Sequence, residues 1–130
     1  MGMYDDLLAI KGSGTVFDKL TPVSPAKADE IKILSKALPD GYISFLLDIG
    51  FGEIGEVGYM LYDGLIDPLE IYGGEGLGGI LLFGDDFQGF NTGFKVENWS
   101  VVEIDSVNLT VCNVASDFQN FIRGKIMELG

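Results

Sequence analysis

The sequence predicts an α+β domain with N-terminal helices, an antiparallel β-meander and a C-terminal helix packed on the sheet. Three observations predict it. Apolar residues between Ser24 and Ile49 recur at helical spacing. After Gly52 they fall into short runs, rich in aromatic and β-branched residues and punctuated by glycine. From Phe118 the helical spacing returns. The 130 residues are read as one domain, 1–130, long enough to bury a core without disulfide or metal staples.

At the N-terminus "YDDLLAIK" predicts a short helix and "GSGTVFDKLTPVSP" reads as loop. Ser24 is placed to cap a helix beginning at Pro25, with Asp29 and Glu30 near its start. Ile31, Leu34 and Leu38 share its apolar face, and Pro39 stops it. Asp40 is the expected cap of a second helix in "PDGYISFLLDIGFG". Its stripe is Tyr42, Phe45, Leu46 and Ile49, and Gly50 is its natural C-terminal cap. "EVGYMLYDG", "GILLFGD", "FNTGFKV" and "WSVVEID" are strand candidates. "LTVCNV" reads either as a further short strand or as the approach to a helix. Ser116 and Gln119 form an expected capping box for the last helix. There Phe118, Ile122, Ile126 and Leu129 line one face, with Phe121 beside them.

Composition excludes several function classes. Hydrophobic residues make up 47% of the chain, yet no apolar run approaches the ~20 residues of a membrane span. The start has no basic n-region of a signal peptide, so the expected location is cytoplasmic. The single cysteine, Cys112, fits a reducing compartment and is read as a buried core thiol. There is no histidine, which removes Ser-His-Asp and Cys-His catalysis and every histidine-bearing metal site. No catalytic residue, cofactor or metal is expected. The net charge is −12, and between Ala37 and Phe94 there are ten acids but no lysine or arginine. That field repels nucleic acid and anionic lipid, and it serves either to attract a basic partner or for solubility alone.

The stretch from Tyr72 to Trp99 invites chemical readings. Gly74, Gly76 and Gly79 match G-x-G-x-x-G, but that motif must open a helix to hold a pyrophosphate. Gly79 instead leads into the short apolar run Ile80–Phe83, which reads as a strand. Asp85 and Asp86 are adjacent, so on a strand they point to opposite faces and converge poorly on one metal ion. Nothing marks them as a glycosidase pair among twenty acids. A hairpin explains more. Gly84-Asp85-Asp86 ends one strand, Phe87-Gln88-Gly89 turns the chain, and Phe90-Asn91-Thr92 starts the return. Phe83, Phe87, Phe90 and Phe94 cannot all face one way: either all four are core, or some are core and some exposed. Exposed aromatics rimmed by acids are what a protein-binding surface offers. The candidate surface is therefore Glu53, Glu56, Glu75, Asp85 and Asp86, with some of Tyr59, Tyr72, Phe87 and Phe90.

Several blocks also resemble a known family. "ALPDGYISFLLDIGFG", "GYMLYDG", "ILLFGDDFQGF" and "ASDFQNFIRGKI", in that order, are similar to the SUKH superfamily. Its best-known branch is the fungal Smi/Knr cell-wall assembly regulators. The likeness is clearest over residues 24–129. It is carried by Leu38-Pro39, Tyr42, Phe45-Leu46 and Gly50, then by Phe83, Gly84-Asp85 and Gly89. The family's Asn-Gly-Gly-like turn is replaced here by Ile49-Gly50-Phe51-Gly52. The resemblance implies a non-enzymatic, SUKH-like α+β domain. For a bacterial member it implies an immunity protein that neutralises a polymorphic toxin, in many cases a nuclease. A regulatory or scaffold domain of the Smi/Knr type, without a toxin, is the alternative. The family brings no catalytic residues to this chain.

Overall fold

The computed structural model describes residues 3–34, 37–68 and 79–130. Among them are four helices: α1 (Asp5–Ile10), α2 (Pro25–Leu34), α3 (Asp40–Asp48) and α4 (Phe118–Leu129). Six strands, β1 (Gly52–Ile54), β2 (Tyr59–Ile66), β3 (Ile80–Asp85), β4 (Phe90–Lys95), β5 (Ser100–Asp105) and β6 (Val111–Ala115), pair antiparallel in chain order. This is a single α+β domain, with α4 packed on the sheet.

One apolar cluster joins all four helices to one face of the sheet. At its centre lie Tyr42 of α3, Phe83 of β3, Phe94 of β4 and Phe118 of α4, all fully buried. Every pair of these four rings has its centroids 4.8 to 6.0 Å apart, three edge to face and three tilted. Edge to face is an arrangement aromatic quadrupoles favour. Gly84 leaves room beside this cluster for Tyr59. A Cβ there would stand 2.1 Å from Tyr59 Oη, the hydroxyl that shares a hydrogen bond with Thr92 Oγ1. A second cluster lies on the opposite face: Ile80, Leu82, Val102 and Ile104, with Tyr62 and Ile66 against it. Burial on both faces explains why "ILLF" and "VVEI" read as runs rather than clean alternations.

Most of the sequence reading stands. Ser24 Oγ accepts from Lys27 N at 3.1 Å and caps α2. Ile31 of α2 is buried, as are Tyr42, Phe45, Leu46 and Ile49; Leu38 is buried too, but outside α2, which is described as Pro25–Leu34 rather than running up to Pro39. Gly50 takes φ +119° past the end of α3 and donates its N–H to Phe45 O at 2.8 Å. The four strand candidates form β2 to β5, and "LTVCNV" resolves as a strand.

Other expectations are corrected. Asp40 is the first residue of α3 and its side chain makes no cap bond; Pro39 holds the cap position. The cap of α4 is Asp117, which accepts from Asn120 N at 2.8 Å, because the helix starts one residue later than a Ser116 cap requires. β1, at three residues, is too short to show a period and was not anticipated. The loop before α2 contributes Phe17, Leu20 and Val23 to the core. Asp18 organises that loop, accepting from the N–H groups of Gly12, Gly14 and Thr15 and from the Thr15 hydroxyl. Cys112 is exposed rather than buried, because β6 ends the sheet and nearly all its residues meet solvent.

Candidate functional site

In a meander, successive turns alternate between the two ends of the sheet. The β1–β2, β3–β4 and β5–β6 turns therefore share one end, spaced two strands apart, or roughly 10 Å. Ser106 N donates to Gly89 O at 2.9 Å and ties the second turn to the third.

Each turn presents an apolar side chain to solvent. Val57 is 62% exposed, Phe87 41%, Leu109 38% and Val107 91%. Val57, Phe87 and Leu109 also take positive φ, at 52°, 63° and 57°. That left-handed conformation is costly for any residue with a Cβ, and most of all for a β-branched one. Local polar groups hold two of these turns. Asp85 Oδ1 accepts from Phe87 N at 3.0 Å, and Asp86 Oδ1 accepts from Gln88 N at 2.8 Å and Phe90 N at 3.1 Å. In the third turn Asp105 Oδ1 accepts from Val107 N at 2.8 Å, and Asn108 Oδ1 from Thr110 N at 3.1 Å.

Acids surround the tips. Glu53 and Asp85 flank Met60 in one cross-strand row, and Glu56 is exposed in the first turn. Asp85 also accepts from the Tyr62 hydroxyl at 2.6 Å. On the helix-facing side Glu103 lines a shallow groove with Phe121, Lys125 and Glu128. Burial raises its carboxyl pKa despite the attraction of Lys125. Lys125 is itself engaged by Glu128 at 3.1 Å and lies over the Tyr59 and Phe121 rings.

The residues singled out in the sequence divide as follows. Asp85, Asp86, Phe87 and Phe90 come together in one turn, with Glu53 and Glu56 beside the neighbouring one. Phe83 and Phe94 are core, Phe87 is exposed and Phe90 half-buried. Tyr59 is withdrawn from the surface. It is fully buried, and its hydroxyl is held by Thr92, so no partner can reach it. Tyr72 and Glu75, with Gly74 and Gly76, lie outside the described residues. Gly79 leads directly into β3 rather than a helix, which removes the helix N-terminus a pyrophosphate requires. The sequence reading missed Val57, Val107 and Leu109. The run "SVNLT" between two strand candidates carried a turn signal in Asn108.

Among the described residues no three side chains of the metal-binding kinds converge, and no helix is long and apolar enough to cross a membrane. Comparison of the sequence with protein-family models and with curated proteins returns no match.

Proposed function

We propose that this protein is a non-enzymatic binding domain that neutralises a basic toxin domain, as an immunity protein does. One observation carries the proposal: three adjacent turns offer exposed apolar tips among acids, and two of them belong to the span without a lysine or arginine. Exposed apolar side chains can fill pockets on a partner and slow dissociation, and the acidic rim can steer association. A nuclease fits as the partner, because a site that holds phosphates is basic.

The test is co-expression and pull-down with the protein encoded by the neighbouring gene. Asp85 and Asp86 are unsuitable for it, since their carboxylates accept the turn's own N–H groups. Phe87 and Glu56 are exposed and can be changed without touching the core. Phe87→Ala should weaken binding by about 2 kcal/mol or more, chiefly through faster dissociation. Glu56→Lys should lower the association rate. If both variants bind and protect cells as well as the parent, this end of the sheet is not the surface. If no neighbour is toxic and no basic protein is recovered, the Smi/Knr-type regulatory reading replaces this one.

A further inference from the structure

The two edges of the sheet are treated differently. β1 is three residues long, and the N-terminal segment runs along it. Thr21 and Phe51 exchange two backbone bonds at 3.0 Å, and Gly55 N donates to Val16 O at 2.8 Å. β6 has no such cover: among the described residues no strand pairs with its far side, and Val111, Cys112, Asn113 and Val114 are all exposed. Natural edges are usually guarded by lysine, proline or an inward charge. Here no side chain is charged from Ser106 to Ser116, in a chain of net charge −12. β1 carries Glu53, so among the described residues β6 is the sheet edge along which two such acidic strands can meet without a carboxylate on the strand itself.

We propose that β6 is a self-association edge, where a second copy of this chain adds its own β6 antiparallel across a two-fold axis. The ladder sets the register. Asp105 N donates to Thr110 O at 3.0 Å. By the alternation of an antiparallel pair, Cys112 then turns its backbone groups toward β5, while Val111 and Asn113 turn theirs outward. An irregularity after Asn113 ends the flat part of the strand, leaving Val111–Asn113 as the regular stretch. Its centre is Cys112, so each Cys112 faces its copy in a non-hydrogen-bonded pair, with Cα atoms about 4.5 Å apart. Val111 and Asn113 of the two copies exchange the backbone bonds. The protected β1 edge stops growth at the dimer. The antiparallel arrangement points the two hairpin ends in opposite directions and leaves both free. The proposal does not depend on the identity of a toxin.

Sedimentation velocity tests it, over about 10 to 500 µM because so small an interface associates weakly. The average mass should climb from monomer toward dimer, and should climb further with added salt, which screens repulsion between the acidic copies. A short bismaleimide should link Cys112 to Cys112, and Cys112→Ser should abolish the link but keep the dimer. Val111→Pro removes an outward N–H from each copy and should weaken association about thirtyfold. Should that variant misfold, Cys112→Lys decides, since its backbone is untouched. It reduces the net negative charge, so global repulsion alone would strengthen the dimer, whereas like charges facing across the axis should weaken it about fivefold. A monomer at every concentration, association that falls with salt, or a Cys112→Lys variant that dimerises as well as the parent would each overturn the proposal.

Discussion

Individual residues in this fold are held by contacts that leave little room for substitution. Gly84 is the tightest case. Any Cβ there collides with the Tyr59 hydroxyl and, at 2.5 Å, with Met60 O. Gly84→Ala should therefore cost about 1–3 kcal/mol, as overpacked cores do, read from the denaturant midpoint. Tyr42 is the opposite case, since its buried hydroxyl meets no partner among the described residues. Asp18 acts through charge. The Thr15 hydroxyl and three N–H groups hold its carboxyl down to about 2, against an ordinary 3.8. A depressed folded value means that its stabilisation is complete above pH 3.8 and is lost as pH falls through about 2. Asp18→Asn should thus be less stable than the parent at neutral pH, and the gap should close on acidification across that window. A constant gap in acid melts would show that the carboxylate charge is irrelevant to the loop.

At the scale of elements, legibility followed the length of the periodic signal. α3 and α4 were plain because their buried faces repeat over two or three turns, as in Tyr42, Phe45, Leu46 and Ile49. β1 was invisible because three residues carry no period, and it is defined by pairing with β2 and by the bridge from Thr21 to Phe51. The burial of Cys112 was misjudged because residue type says nothing about which strand ends the sheet. Within the candidate site, Asp85, Asp86 and Phe87 were legible as a turn between two strands. The exposure of Val57 and Leu109 was not, because apolar residue types read as core and nothing in them marks the left-handed backbone found at both positions. Caps offer a direct check. Asp117 accepts the Asn120 N–H, whereas the Ser116 hydroxyl meets only the Asn120 side chain, at 3.4 Å. Asp117→Ala should cost about 1 kcal/mol and Ser116→Ala far less. Equal losses in the two melts would return the cap to Ser116.

At the scale of the molecule, a single aromatic core fixes a sheet whose two ends and two edges differ. One end gathers three turns with apolar tips and acids, one edge is covered by the N-terminal segment, and the other is bare and uncharged. A partner drawn by charge to the turns should bind less readily as salt rises, while two copies meeting along β6 should associate more readily. The central claim is that the hairpin end is what a partner reads. Hydrogen exchange of the complex with the neighbour-encoded protein tests it most directly. Binding should slow exchange at the amides of Gly55–Gly58, Asp86–Gly89 and Ser106–Thr110, with the helices and the opposite end unchanged. Protection confined to the helices or to β6, with these three turns exchanging as in the free protein, would contradict it.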